Sequence, residues 1–152
     1  MTKTSPAPQI ASARPGMTAA ISAETGLDEA VLTALVHRFY DKVRADPLLG
    51  PIFAARIADW GPHLARMVDF WSSVALMTGR YHGTPVLKHV GLPIGAAHFA
   101  RWLELFRETA VETCRPEGAA LVIDRAERIA RSLRFAVEDL GRTGVPVGLA
   151  ER

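Results

Sequence analysis

The clearest evidence for the architecture lies in residues 27–44, which read LDEAVLTALVHRFYDKVR. The apolar residues of this segment recur at intervals of three and four, the spacing that places side chains on one face of an α-helix. Asp28 is a suitable N-cap, and Asp46-Pro47 ends the helix because the residue before a proline is driven out of the helical region. The segment is therefore predicted to form a long helix with a wide buried face.

Three further segments show the same helical periodicity, and no segment alternates with the period of two that is typical of a half-buried strand. Proline and glycine residues separate the periodic segments and allow only short helices between them. The sequence therefore predicts an all-α fold with four principal helices and several short ones. The three further long helices are predicted at 59–78, 97–114 and 117–140, a short turn or single-turn helix at 47–53, and a short helix at 85–90.

The ends of the chain differ in composition from this helical region. Residues 1–22 contain three prolines together with several Ser and Thr residues, a composition typical of a flexible arm. We therefore predict a flexible N-terminal arm at 1–22, one helical domain at 23–141 and a flexible C-terminal tail at 142–152.

The composition excludes several classes of function. Hydrophobic residues form 49% of the 152 residues, which indicates a globular domain, yet no apolar run is long enough to span a membrane. The formal net charge is only +2, and its scattered arginines form no cluster that would bind nucleic acid. The single cysteine, Cys114, excludes a disulfide framework within the chain and fits a structural role in the reducing cytoplasm.

Two of the five histidines occupy positions where an imidazole needs a partner. His63 shares the apolar face of the 59–78 helix, and His89 ends a short helix held between Pro85 and Pro93. A buried imidazole must find a hydrogen-bond partner or a ligand. The remaining histidines fit solvent-exposed positions: His37, His82 and His98.

Tyr40 and Trp102 add two more polar atoms to otherwise apolar helix faces. Each residue alone is better explained as part of a hydrogen-bonded core. Tyr40, His63, His89 and Trp102 together give four converging helices one polar group each, which is the layout of a deep cofactor pocket. The sequence contains no phosphate-binding glycine loop, no zinc-protease motif and no nucleophile elbow.

Seven motifs, occurring in one order over about residues 24–140, make the sequence resemble a truncated haemoglobin, most closely one of the third group. No single motif is specific, but seven in register are. The motifs are Phe39-Tyr40-Asp41-Lys42-Val43-Arg44, Asp46-Pro47-Leu48-Leu49-Gly50-Pro51-Ile52-Phe53, Trp60 with His63, Asp69-Phe70-Trp71, Gly79-Arg80-Tyr81-His82-Gly83 with Pro85, Lys88-His89 with Leu92-Pro93, and His98-Phe99-Ala100-Arg101-Trp102-Leu103-Glu104-Leu105-Phe106.

This resemblance implies a truncated-globin-like helical sandwich around a haem b group. It implies that His89 is the proximal iron ligand and that Tyr40, His63 and Trp102 form the distal, ligand-stabilising set. A gate or a weak hydrogen-bond donor is the favoured role for His63. The residues implied to contact the cofactor are Phe39, Phe53, Met67 and Trp71.

The resemblance also implies a function. The expected ligands are O2, NO or peroxide, and the polar distal site suits redox chemistry on them better than oxygen transport. Because the chain lacks a flavin or nicotinamide motif, turnover would need an external reductase, and whether the protein is an enzyme stays open. The alternatives are a haem-based sensor or redox relay and, less favoured, a cofactor-free helical interaction module.

Overall fold

The structure, a computed structural model, describes residues 11–83 and 93–142, and within these ranges it contains six α-helices and no strand. Four of the helices are long, so the predicted all-α fold with four principal helices is confirmed. The helices are α1 (Pro15–Thr25), α2 (Glu29–Ala45), α3 (Gly50–Arg56), α4 (Trp60–Leu76), α5 (Ala96–Thr113) and α6 (Pro116–Arg142).

The ends of α2 and α4 follow the capping rules. The side chain of Asp28 accepts a hydrogen bond from the Val31 amide at 2.8 Å, and Asp59 accepts one from the Gly61 amide at 3.2 Å. These carboxylates satisfy amides at the helix start that have no partner within the helix. Helix α4 ends at Leu76, slightly before the predicted position, because Met77 takes a left-handed conformation with φ of 59°.

Helix α1 corrects the prediction of a flexible arm, which is wrong for residues 15–22. The helix begins with Pro15 at its first position, and its buried Thr18 donates a hydrogen bond to the Leu76 carbonyl at 2.7 Å. The Ala13 amide donates to the Thr78 carbonyl at 2.9 Å. These tertiary contacts with the end of α4 hold a segment whose own apolar pattern is too weak to predict a helix.

Other boundaries differ by a few residues. The segment 47–53, predicted as a short turn or a single-turn helix, is a turn followed by α3, because the Asp46 carboxylate accepts hydrogen bonds from the amides of the turn. Helix α6 continues through Gly141 to Arg142. The predicted helix at 85–90 and most of the predicted tail lie outside the described residues.

The core is formed where α2 packs against α4 and α5, and where α5 packs against α6. Its centre consists of fully buried aliphatic and aromatic side chains, among them Leu32, Leu35, Phe39 and Phe106. A second, smaller apolar cluster joins the start of α5 to the end of α6. None of the helices in the described ranges combines the length and the hydrophobicity needed to cross a membrane.

Candidate functional site

A cavity of about 580 Å³ lies between the helices, within the size range of small-molecule and cofactor sites. All the helices except α1 contribute to its lining, as does the segment before α5. Its surface is predominantly apolar. Two sets stand out among the lining residues, one containing the polar groups predicted from the sequence and one consisting of hydrocarbon side chains.

The first set, here called the polar wall, consists of residues from α2 to α5 and contains the candidates predicted from the sequence. Tyr40 extends from α2, Phe53 from α3 and Trp102 from α5, while α4 contributes three residues one turn apart, the spacing that places them on one face. The members of the polar wall are Tyr40, Phe53, His63, Met67, Trp71 and Trp102.

Tyr40 is fixed by aromatic rings around it. Its ring lies edge-on to Phe53 and His63, with centroid distances of 5.9 and 5.2 Å, and its centroid is 5.7 Å from that of Trp60. Such edge-on and tilted arrangements are the favoured geometries of aromatic pairs. Burial raises the pKa of the Tyr40 hydroxyl well above its ordinary value. The hydroxyl therefore keeps its proton at neutral pH and is available as a hydrogen-bond donor.

His63, on α4, lies between the rings of Tyr40 and Trp60. Its ring is perpendicular to Trp60 at a centroid distance of 5.4 Å, and its Nε2 atom is buried. The outer face of Trp60 is covered by the Arg44 guanidinium, 4.5 Å from the ring centroid. The imidazole is thus held at the cavity surface by packing on two sides.

Trp102 belongs to a stack of three rings. It lies parallel to Phe106 at 5.5 Å, and Phe106 lies parallel to Trp71 at 4.8 Å. Trp71 and Trp102 both line the cavity, while Phe106 is buried between them. Trp102 also packs against the smaller apolar cluster. Its indole therefore sits where the two sets of lining residues meet.

Phe39 occupies a different place from the one predicted for it. Consecutive residues of a helix point about 100° apart, so the neighbour of Tyr40 is directed into the core. Phe39 is 1% exposed, packs edge-on against Tyr40 and Trp102, and is not among the residues that line the cavity. It supports the polar wall from behind.

The second set, here called the apolar wall, was not identified from the sequence. Ile94 precedes α5, Phe99 lies in its first turn, and α6 contributes the others at helical spacing. Such residues give the same periodic signal as ordinary core positions, so the sequence could not mark them as a site. The members of the apolar wall are Ile94, Phe99, Ile129, Ala130 and Leu133.

Two arginines and a histidine also escaped the sequence analysis. Arg56 and Arg66 line the cavity with exposed side chains, and Arg66 lies three residues after His63, on the same side of α4. The three-residue spacing between His63 and Arg66 was the one signal by which the sequence could have placed Arg66 at the cavity. His98, expected to be a surface residue, lines the cavity instead, and its Nδ1 accepts a hydrogen bond from the Gly95 amide at 3.0 Å.

The remaining predicted residues are two histidines, the single cysteine and the predicted iron ligand. His37 and His82 are exposed, as predicted. Cys114 is half-buried, and burial raises the pKa of its thiol to about 11, so it stays protonated at neutral pH, as suits a structural cysteine. His89, the predicted iron ligand, lies outside the described residues.

The helices and the cavity between them define a globin-like helical protein. The family model described as Bacterial-like globin matches residues 23–137. A group 3 truncated haemoglobin of Campylobacter jejuni is 35% identical over 109 residues, in an alignment that covers 68% of this chain and 86% of that protein. The crystal structure of a group III truncated haemoglobin from Campylobacter jejuni matches with a TM-score of 0.69 and 33% identity, over 73% of this chain and 91% of that one.

The chain therefore belongs to the truncated haemoglobin family of bacterial-like globins, and within it to the third group. Family membership makes it a globin-type protein that binds ligands through a haem.

The residues around the cavity fit that cofactor. A haem presents a broad apolar macrocycle with two carboxylates at one edge. The cavity offers hydrocarbon over most of its surface, hydrogen-bond donors on the polar wall and two exposed arginines, Arg56 and Arg66, among its lining residues. Within the part of the chain that the structure describes, no three metal-ligating side chains are grouped as a separate metal site.

Proposed function

We propose that this protein binds haem b in the cavity and uses it to bind O2, NO or peroxide and to carry out redox chemistry on them. The observation that carries the proposal is the asymmetry of the cavity, in which Tyr40, His63 and Trp102 line one part of a predominantly apolar space and hydrocarbon side chains of α5 and α6 line another. When bound, the haem supplies an iron that coordinates a diatomic ligand and exchanges electrons with it.

The residues of the chain then have distinct tasks. We propose that His89 is the proximal ligand, because a neutral imidazole is a good iron ligand and the family resemblance assigns this position to it. Arg56 and Arg66 would pair with the cofactor carboxylates, an arrangement supported by their place in the lining. The apolar wall would exclude water from the macrocycle.

Tyr40 and Trp102 would act on the ligand through hydrogen bonds. A ligand that carried negative charge when bound would be a strong acceptor for these groups, and a hydrogen bond to a charged acceptor is worth about 1.5–3 kcal/mol. The Tyr40 hydroxyl remains protonated because burial raises its pKa. The phenol ring is held by its aromatic neighbours, so little further ordering is needed when it donates.

We propose a gating or weak donor role for His63. Its ring packs edge-on against Tyr40 and Trp60, so a rotation of the imidazole would change the contacts of both. A ligand entering past this position would have to displace the imidazole.

Hydrogen bonds from the polar wall would slow ligand release. We therefore favour redox chemistry on the ligand over oxygen transport. Detoxification of NO or reduction of peroxide would require electrons from a separate reductase, since no nucleotide-binding motif occurs in the sequence. The lone cysteine is in keeping with a cytoplasmic setting.

Stopped-flow kinetics test this proposal. The reduced, haem-loaded protein is equilibrated with oxygen and mixed with NO, and the ferric protein is mixed separately with hydrogen peroxide. We expect rapid consumption of at least one of the two reagents and a slower reaction in Tyr40→Phe. A protein that reacts with neither reagent faster than free haemin does would contradict the proposed redox role.

A further inference from the structure

Two ionic contacts join α2 to α5, and they differ in burial. Asp46, at the end of α2, is 3% exposed in its side chain, and its Oδ1 accepts a hydrogen bond from Arg101 Nε at 2.7 Å. One turn earlier, Lys42 contacts Glu108 and Glu112, whose side chains are about half exposed. The buried contact is adjacent to the cavity residues, and the exposed contact is farther along α5.

Asp46 also organises the corner between α2 and α3. Its Oδ2 accepts hydrogen bonds from the Leu48 and Leu49 amides at 3.1 and 2.9 Å, and its carbonyl accepts one from Gly50. The corner is tight, because a Cβ at Gly50 would lie 2.7 Å from the Arg44 carbonyl oxygen. One carboxylate therefore fixes the backbone that leads into α3 and its cavity residues.

Arg101 transmits this anchor to α5. It immediately precedes Trp102, so its direction on the helix is offset from the indole by about 100°. Because Arg101 is held at Asp46, rotation of α5 about its axis is restrained at the turn that carries Trp102. Arg101 also pairs with the exposed Glu104 on the same side of the helix. The ion pair thus links the corner that contains Leu49 to Trp102 of α5, and both of these residues line the cavity.

We infer that Asp46 and Arg101 are positioning residues that set the orientation of the Trp102 indole toward a ligand in the cavity. The inference rests on the proposed function, because it gives Trp102 a ligand to donate to. Neither residue of the pair is among those that line the cavity. Their effect on the ligand is therefore exerted through Trp102 and the corner.

Four variants of the haem-loaded protein test the inference: Arg101→Gln, Asp46→Asn, Trp102→Phe and the double variant Arg101→Gln/Trp102→Phe. Lys42→Gln is the matched control, since it breaks the other ionic contact between the same two helices. Oxygen dissociation is measured by stopped flow, and the C–O stretching band of the carbon monoxide complex reports the polarity around the ligand.

We expect Arg101→Gln and Asp46→Asn to raise the dissociation rate by about threefold or more and to shift the C–O band in the same direction as Trp102→Phe. Lys42→Gln should leave both measurements unchanged. In the Trp102→Phe background, Arg101→Gln should add less than about twofold, because the residue through which it acts is gone.

Three results would overturn the inference: no change in Arg101→Gln and Asp46→Asn, an equal change in Lys42→Gln, or an effect of Arg101→Gln that persists in full without Trp102. Asp46→Asn keeps the side-chain size and an acceptor oxygen for the corner, so it answers the question even where Arg101→Gln fails to fold. An unchanged oxygen dissociation rate in Trp102→Phe would contradict the role that the proposed function gives to Trp102. A changed rate in Trp102→Phe together with unchanged rates in Asp46→Asn and Arg101→Gln would contradict this inference alone.

Discussion

The two walls of the cavity are built from the same kinds of helix but differ in what their side chains can do. On the polar wall, Tyr40 and His63 hold their polar atoms within a group of packed rings. On the apolar wall, Ile129 and Leu133 offer only hydrocarbon. The difference teaches that polar and hydrocarbon side chains occupy separate parts of one cavity. We therefore propose that the apolar wall holds the cofactor and the polar wall acts on its ligand, so that each wall can be altered independently.

The largest effect should come from filling the cavity from the apolar wall. Ala130 is 4% exposed and lines the cavity, so Ala130→Trp would place an indole in the space proposed for the macrocycle. We expect haemin affinity to fall by about a hundredfold or more, which corresponds to about 2.7 kcal/mol. Absorption titration with haemin measures this.

Ala120→Trp is the matched control, because Ala120 is an exposed residue of the same helix. It should bind haemin like the unaltered protein. Equal affinity in the two tryptophan variants would show that the cofactor does not occupy this cavity.

The polar wall should control ligand release with little effect on haem retention. Tyr40→Phe removes one hydroxyl and keeps the ring contacts with Phe53 and His63. We expect oxygen dissociation to accelerate by about ten- to a hundredfold, the equivalent of one hydrogen bond to a charged acceptor. Stopped-flow replacement of oxygen by carbon monoxide gives the rate, and an unchanged rate would remove Tyr40 from the donor set.

Acid should reduce the stability that the Asp46 carboxylate gives to the fold beside the polar wall. Burial by itself raises the pKa of this carboxyl, but hydrogen bonds from Arg101, Leu49 and Leu48 outweigh burial and hold the pKa below its ordinary value of 3.8. Because the folded pKa is the lower one, ionised Asp46 stabilises the fold above about pH 4, and this contribution is lost as the pH falls through the folded value.

The free energy of unfolding of the unaltered protein, compared with Asp46→Asn from pH 7 downward, measures the contribution of this carboxylate. We expect a difference of about 2 kcal/mol near neutral pH that shrinks in acid. A difference that stays constant over the whole range would contradict the assignment of the ionised form.

The smallest effect should come from a conservative change on the apolar wall. Ile129→Val removes one methylene from a partly buried residue that lines the cavity. We expect a loss of about 1 kcal/mol in the free energy of unfolding and less than about a twofold change in oxygen dissociation. A change as large as that of Tyr40→Phe would abolish the distinction between the two walls.

The polar wall could be predicted from the sequence, whereas the apolar wall could not. Tyr40, His63 and Trp102 stood out because a polar atom on an apolar helix face needs a partner. Ile129, Ala130 and Leu133 have the spacing of any buried helix face, so nothing in their pattern marks a cavity. Phe39, which only the family resemblance suggested as a cofactor contact, packs against Trp102 in the core and is not among the lining residues.

The fold was predicted in its long helices, whose amphipathic periodicity is strong, and missed at α1. That helix depends on Thr18 and Ala13 bonding to carbonyls at the end of α4, contacts between residues about 60 positions apart. Long-range contacts of this kind leave no local pattern in the sequence. The contact of Arg101 with the buried Asp46 likewise left no signal in the sequence, since the two residues are 55 positions apart.

The central claim is that this cavity holds one haem between a polar and an apolar wall. Its most direct test is a titration of the cofactor-free protein with haemin, followed at the Soret band for the unaltered chain and for Ala130→Trp. We predict saturation at one haemin per chain in the unaltered protein and loss of that saturable binding in Ala130→Trp. Two results would contradict a haem site in this cavity. One is saturation at the same ratio and affinity in both proteins, and the other is no saturable binding of haemin by either protein.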